Sequence, residues 1–186
     1  MDNKAFLRKQ LINQRNLISP SLIESMSFAI SEKIFTIPEF EKAKNIFVFL
    51  SFGSEVNTSL IIDKLLKTGK SISVPVIKEK KMFLARYKQN TPMIRNKYGI
   101  LEPAEPTLTD LSSIDLTLVP ALAFDYNLYR IGYGGGFYDR FIADYNKVTI
   151  GIIFDEFIIE DIPIGEFDKP VDIVVSNKQI IYRNEL

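Results

Sequence analysis

Apolar positions recur along this chain with two periods. From 2 to 18 they follow a helical spacing, with Leu7, Leu11 and Ile18 on one stripe. That spacing predicts an amphipathic helix with Asp2 as its N-cap. Ser19-Pro20-Ser21 breaks it, and Ser21 with Glu24 fits a capping box that opens a second helix to about Phe35. Residues 58–68 read as a helix closed by Gly69, and 137–145 as another. Short apolar runs at 46–50, 116–123 and 148–154 suit buried strands. Segments 71–77 and 82–87 read as strands paired in a hairpin, and 171–175 and 180–182 as terminal strands. Strands alternating with helices predict one α/β domain over residues 1–186. Its expected form is a three-layer sandwich around a largely parallel sheet. Ligands in such folds lie beyond the carboxyl ends of strands. That singles out 51–57, 125–136 and 155–170.

Composition narrows the chemistry. The chain has 186 residues with neither Cys nor His. This excludes thiolate nucleophiles, Ser-His-Asp triads and imidazole metal ligands. Carboxylates, Lys, Arg, Tyr, hydroxyls, backbone amides or an oxygen-ligated metal remain. Lys+Arg and Asp+Glu are both 23, and zero net charge argues against a nucleic-acid partner. No apolar run of membrane-spanning length occurs, and no signal peptide opens the chain. The expectation is a cytoplasmic protein, a monomer or weak dimer, with no membrane partner.

Residues 130–140 read Arg130-Ile131-Gly132-Tyr133-Gly134-Gly135-Gly136-Phe137-Tyr138-Asp139-Arg140. Four of the nine glycines fall within five residues here, and five of the eight tyrosines lie between 126 and 145. Glycines let successive N–H groups converge on an anion, and the following helix points its positive end there. Arg130 and Arg140 suit phosphate oxygens, and Asp139 suits a phosphate-bound divalent cation. The residues alone leave a flexible surface turn open. Three known motifs do not explain the segment. A dinucleotide fingerprint needs Gly where Phe137 stands. Gly69-Lys70-Ser71 lacks the first P-loop glycine, since residue 64 is Lys, and it lies where a helix ends. Asp125-Tyr126-Asn127 begins like a calcium loop, but Arg130 occupies the required glycine position.

Charge is segregated elsewhere. On a helical wheel Lys4, Arg8 and Arg15 span about 40° beside the apolar stripe, placed either for a cleft or for a solvated face. Seven acids against Lys169 occupy 155–172, and seven bases against Glu79 occupy 78–97. The basic stretch suits a polyglutamate tail or a solvated hairpin face.

Arg130 to Asp139 closely resembles the signature of the 5-formyltetrahydrofolate cyclo-ligase family, roughly Arg-Leu-Gly-x-Gly-x-Gly-Tyr-Tyr-Asp. The resemblance extends to Val119-Pro120-Ala121-Leu122-Ala123-Phe124-Asp125, to Tyr98-Gly99-Ile100-Leu101-Glu102-Pro103, and to Phe49-Leu50-Ser51 with Glu55-Val56-Asn57-Thr58. Lys4 and Arg8 match its amino-terminal pair, and Asp172 an acidic position near the end. It implies an ATP- and Mg²⁺-dependent ring-forming ligase that makes 5,10-methenyltetrahydrofolate from 5-formyltetrahydrofolate, with or without a polyglutamate tail. ADP and phosphate would leave after phosphorylation of the formyl oxygen and attack by N10. The implied fold is related to sugar-phosphate isomerase and CoA-transferase domains.

The resemblance also implies roles. Lys4, Arg8, Arg130, Gly132, Gly134, Gly135, Gly136, Phe137 and Tyr138 would contact ATP. Leu50, Phe52, Glu55, Tyr133 and Tyr138 would contact the folate. Arg130 and Tyr138 would be catalytic, and Asp139 and Asp172 would hold Mg²⁺. Three positions depart from the family. Phe137 replaces the usual first Tyr, Tyr133 stands where some members carry Arg, and Phe157 stands where Gln is common. A non-catalytic folate or nucleotide binder and a sugar-phosphate isomerase-like enzyme are the competing readings.

Overall fold

A computed structural model describes residues 3–97 and 99–183. The expected cap Asp2 and the motif residue Tyr98 lie outside the described residues. The chain opens with α1 (Asn3–Arg15) and α2 (Pro20–Ile34). Ser19, not Ser21, caps α2: its Oγ accepts from the Leu22 N–H at 3.3 Å. Pro20 takes the first helical position, where its fixed φ fits and its missing N–H costs nothing. Ser21 therefore lies inside the helix, and the expected capping box is corrected. A single turn, α3 (Pro38–Lys42), leads into β1 (Asn45–Phe47).

Helix α4 (Ser59–Lys67) connects β1 to β2 (Ser71–Lys78), which turns back as β3 (Lys81–Tyr87). Short strands β4 (Met93–Arg95), β5 (Leu101–Pro103) and β6 (Leu108–Thr109) follow. Then come β7 (Leu116–Val119), β8 (Ala123–Asp125) and β9 (Arg130–Ile131). Helix α5 (Phe137–Ala143) leads to β10 (Val148–Ile152), β11 (Ile158–Ile159), β12 (Ile173–Val175) and β13 (Ile180–Tyr182). The expected strand at 116–123 is two strands. Pro120 has no N–H for the ladder, so the chain leaves the main sheet there. Strand β8 pairs instead with β9 and β11.

The main sheet has the order β13-β12-β10-β7-β1-β2-β3-β6. Its five central strands, β12, β10, β7, β1 and β2, are parallel. The expected β2–β3 hairpin is present, closing on Lys78 opposite Lys81. Ile46, Phe47, Leu116, Leu118, Ile150 and Ile152 are buried, as strands covered on both faces require. On one face Phe47 meets Tyr138 and Phe141 of α5, with ring centroids 6.2 and 5.1 Å apart. Side chains alternate along a strand, so Ile46 and Val48 face the other side. Helices α2 and α4 pack together and against β12 and β2. Ile61, Ile62 and Leu65 anchor α4, each contributing about 2 kcal/mol by burial. The result is a mixed α/β fold on one large, mostly parallel sheet.

One topological feature sets the position of the site. From β1 the sheet grows toward β2 and β3, whereas from β7 it grows toward β10, β12 and β13. Strands β1 and β7 are neighbours, so growth reverses between them. Chains leaving two such strands diverge and open a crevice at their carboxyl ends.

Candidate active site

A cleft of about 840 Å³ opens at that reversal. Leu50, Phe52 and Glu55 reach it from the segment after β1, and Pro120 from the end of β7. The loop from β9 to α5 forms a second wall, and Pro75, Ile77, Lys80 and Met82 of the hairpin a third. Of the basic stretch at 78–97, Lys80 is the cation lining the cleft. It sits in a two-residue turn where Glu79 and Lys80 both have positive φ, 48° and 61°.

At the glycine loop, backbone shape and basic side chains depend on each other. Gly134 has φ 94°, and Gly136, at φ 62°, is the N-cap of α5. A Cβ on Gly136 would lie 2.8 Å from Arg140 Nη1, which folds back so that Nη2 donates to Gly135 O at 3.1 Å. Arg8 Nε donates to Gly132 O at 3.0 Å, and its guanidinium lies against Gly134. Arg130 is buried; Nη1 donates to Lys169 O at 2.9 Å and Nη2 pairs with Asp139. Lys4 pairs with Asp168, whose Oδ2 also accepts from the Gly165 N–H at 2.6 Å. Burial raises the Asp168 pKa, but the Lys4 and Gly165 hydrogen bonds outweigh it and hold the carboxyl below its ordinary value. Four cations thus line this end, Lys4 and Arg130 each held by a carboxylate that also faces the cleft.

The other end is aromatic around a buried carboxylate. Glu55 is 5% exposed, and its Oε2 accepts from the Phe52 N–H at 3.0 Å. Burial pushes its carboxyl up to about 7, against the pull of the Phe52 amide, the Arg15 charge and the Tyr133 hydroxyl. The Tyr133 and Phe52 ring centroids lie 5.4 Å apart. Tyr138 packs its ring against Phe47 and Phe141. Its hydroxyl is buried without a hydrogen-bond partner among the described residues. Burial and the nearby Glu55 charge push that hydroxyl's pKa up strongly, so it is a neutral donor waiting for an acceptor.

The structure brings Lys4, Arg8, Leu50, Phe52, Glu55, Arg130, Gly132, Tyr133, Gly134, Gly135, Gly136, Phe137, Tyr138 and Asp139 to one cleft. Asp172 is placed apart from them. It precedes β12, where Oδ2 accepts from Thr149 N at 2.9 Å and Thr149 Oγ1 at 2.7 Å, and Oδ1 pairs with Arg183 at 2.8 Å. It lines a separate, smaller cleft with Lys147 and Lys169. Its carboxylate ties two neighbouring strands together and does not converge with Asp139. Asp168 occupies the cleft instead. The rule that ligand loops follow strands had already pointed to 155–170, which contains 168 and not 172. Among the described residues no group of three or more acidic side chains forms a metal cage. Asp125, the rejected calcium-loop start, is buried and accepts from the Asn127, Tyr129 and Ile162 N–H groups. It ties the lead-in of the glycine loop to the segment carrying Asp168. Arg15 is also central here and stood in the sequence only as one of three basic positions on a stripe.

By fold and site this is an α/β protein with a ligand-sized cleft at a strand-order reversal, charged at one end and aromatic at the other. Residues 1–177 match the model of the 5-formyltetrahydrofolate cyclo-ligase family. The chain is 29% identical over 175 residues to the Escherichia coli (strain K12) 5-formyltetrahydrofolate cyclo-ligase, covering 90% of this chain and 96% of that one. It is 33% identical over 158 residues to the Haemophilus influenzae 5-formyltetrahydrofolate cyclo-ligase, covering 80% and 84%. An Aquifex aeolicus 5,10-methenyltetrahydrofolate synthetase superposes with a TM-score of 0.89 at 26% identity, covering 98% of this chain and 94% of that one. A Mycoplasma pneumoniae synthetase shares the fold, with a TM-score of 0.78 at 20% identity, covering 95% and 99%. The chain belongs to the 5-formyltetrahydrofolate cyclo-ligase family. No helix among the described residues is long and apolar enough to cross a membrane.

Proposed function

We propose that the chain converts 5-formyltetrahydrofolate to 5,10-methenyltetrahydrofolate, with ATP as co-substrate and ADP and phosphate as further products. The observation that carries this reading is the two-ended cleft in a member of this family. A cluster of four cations lies in the same 840 Å³ space as a buried carboxylate ringed by Phe52, Tyr133 and Tyr138. The first end suits a triphosphate and the second an aromatic ring with N–H donors on its edge.

In the proposed reaction the N5-formyl oxygen attacks the γ-phosphorus and ADP leaves. N10 then attacks the activated carbon and loses its proton. That attack closes the ring, and the oxygen then departs with the phosphoryl group as inorganic phosphate, leaving the methenyl bridge. Phosphoryl transfer asks the protein mainly for alignment and charge neutralisation. Lys4 and Arg130 neutralise the phosphates once their carboxylate partners are displaced, and Arg8, held by Gly132 O, adds its charge beside them. Glu55 accepts from the ring edge, and Tyr138 supplies a donor near the reacting formyl group. Asp139 and Asp168 are the pair suited to Mg²⁺. Both face the cleft, and both act on the buried Arg130. Two carboxylates with phosphate oxygens make an ordinary Mg²⁺ site, and the ion would supply further charge neutralisation on the phosphates. Lys80 is placed to meet the carboxylates of a glutamate tail.

Growth of the methenyl absorbance band tests the reading. The purified protein is mixed with 5-formyltetrahydrofolate and Mg²⁺, with and without ATP. ATP-dependent growth is expected. Nucleotide and folate binding with no growth would establish a non-catalytic binder, and ATP-independent turnover of a phosphosugar an isomerase-like enzyme. Either overturns the proposal.

A further inference from the structure

Helix α4 begins in a way that its sequence does not call for. Thr58 holds the N-cap position, where a threonine hydroxyl ordinarily accepts from an amide of the first turn. Here it makes no such bond. Asn57 serves the helix start instead: its Oδ1 accepts from Ser59 N at 3.1 Å and from Ser59 Oγ at 2.7 Å. The buried Thr58 side chain turns back into the segment that leaves β1. Its Oγ1 donates to Phe49 O at 2.8 Å and accepts from the Ser51 N–H at 3.1 Å. Ser51 reciprocates, its Oγ accepting from the Thr58 N–H at 3.2 Å. Three hydrogen bonds thus tie residues 49 and 51 to 58 and close the chain between them into a loop. That loop is one wall of the cleft. Phe49 and Leu50 stand at its root, Phe52 and Glu55 within it, and all four line the cleft. Inside the clasp the Phe52 N–H donates to Glu55 Oε2 at 3.0 Å, and the Glu55 N–H to Phe52 O at 3.3 Å. The far end is moored to α2, where the Asn57 N–H donates to the buried Ser27 Oγ at 2.9 Å. None of these bonds involves the glycine loop or the four cations at the other end.

We propose that Thr58 is a positioning residue for the aromatic end of the cleft: with Ser51 its hydroxyl clasps the loop so that Leu50, Phe52 and Glu55 meet the ring-bearing substrate as one prearranged surface. The inference rests on the reading that this end takes the folate ring. The division of labour at the helix start supports it. Asn57 takes over the cap, and the Thr58 hydroxyl is left to bond the loop. An unclasped loop has to be ordered when its ligand binds, and that ordering subtracts from affinity. The subtraction falls on the one substrate that this wall touches. Lost uniform binding raises KM with little change in kcat.

Thr58→Val keeps the shape of the side chain and removes both hydroxyl bonds. Thr58→Ser keeps the hydroxyl. Ser51→Ala removes only the reciprocal bond. Two measurements are made on the full chain: kcat and KM for each substrate, and amide hydrogen exchange at Ser51, Phe52 and Thr58 without substrate. Thr58→Val is expected to raise KM for 5-formyltetrahydrofolate about tenfold, the net worth of about one hydrogen bond. KM for ATP and kcat stay within about twofold of wild type, and exchange at Ser51 and Phe52 quickens. Thr58→Ser restores both readings. Ser51→Ala raises the folate KM about threefold and quickens exchange at Thr58, and it adds little on top of Thr58→Val, since two halves of one clasp do not act independently. A merely structural role lowers the active fraction, and so kcat, while leaving both KM values in place. That result overturns the proposal, as does a rise in both KM values alike or a Thr58→Ser variant no better than Thr58→Val. Where Thr58→Val does not fold, Ser51→Ala decides: an unmoved folate KM overturns the proposal. A wild type inactive on 5-formyltetrahydrofolate, with exchange that still responds to Thr58→Val, removes the folate reading and leaves the control of this wall by Thr58 standing.

Discussion

The two ends of the cleft manage charge in opposite ways. Around the glycine loop, the Lys4 and Arg130 cations are held by Asp168 and Asp139, carboxylates that stay partly exposed. Around Glu55, charge is buried with little direct pairing, and the carboxyl is pushed up to about 7. On the proposed reading the first arrangement is an exchange: a polyanion would replace the carboxylates on the cations, and the freed carboxylates would face the cation it carries. The second is a standing cost, recovered when donors arrive. Substitutions at the two ends should therefore differ in which substrate they affect and in whether they stabilise or destabilise the empty protein.

The largest effect is expected at the exchange end. Arg130→Lys preserves one positive charge but loses the fork that spans Lys169 O and Asp139. Lys is no substitute where planar, two-pronged recognition matters. Turnover should fall by about 10²-fold, the order seen on removing one preorganised donor to a developing charge. Circular dichroism and the thermal midpoint should stay near wild type. Steady-state kinetics decide the matter: a turnover within a few-fold of wild type would take Arg130 out of the machinery.

Glu55→Gln reads the other end and should separate function from stability. The Glu55 carboxyl is raised from its ordinary 4.5 to about 7 in the folded chain. A raised carboxyl favours the folded state at low pH, and that contribution is lost as pH climbs through the folded midpoint. Over this window the loss is about 3 kcal/mol. Glutamine has no charge to bury. The variant should therefore be more stable than wild type above about pH 7, with a flatter stability profile between 4.5 and 7. KM for 5-formyltetrahydrofolate should meanwhile rise about tenfold or more through the loss of charge-assisted bonds. Thermal melts across pH, read beside KM, check both halves. A wild-type protein whose stability, relative to Glu55→Gln, does not decline between pH 4.5 and 7 would sink the standing-cost account.

Sequence periodicity reached the strands that are buried on both faces and the helices that anchor them, because those follow from local pattern and burial. It also reached the glycine loop, since clustered glycines and tyrosines are visible without a fold. It missed α3, β4, β5, β6, β9 and β11, which are too short to carry a period. It ran 116–123 through Pro120 as one strand, although that proline's missing N–H was readable. Arg15 and Asp168 were out of reach for another reason. Nothing in their spacing says that Arg15 at the end of α1 reaches Ala121 in the break after β7, or that the loop before β12 bends back to Lys4. Those are properties of the strand order, where growth reverses between β1 and β7.

The smallest effect on activity is expected at Asp172, and it sharpens the assignment of the exchange end. Three polar contacts fix this carboxylate between β10 and the chain end. Asp172→Asn keeps one oxygen for Thr149 but weakens the pairing with Arg183, which is half exposed and worth little by itself. Stability should fall by about 1 kcal/mol, a thermal shift of about 2–4 °C for a chain of this size. Turnover and its dependence on Mg²⁺ concentration should match wild type. Asp168→Asn carries the same loss of charge four residues earlier in sequence, but at Lys4 and the cleft. It should raise the Mg²⁺ concentration needed for half-maximal turnover by about tenfold, the cost of roughly one charge-assisted ligand. Titrating Mg²⁺ against activity for the two variants together makes the comparison. If Asp172→Asn moved the Mg²⁺ curve and Asp168→Asn left it in place, the carboxylates would exchange roles and the Lys4–Asp168 pair would be reduced to a tether of the loop.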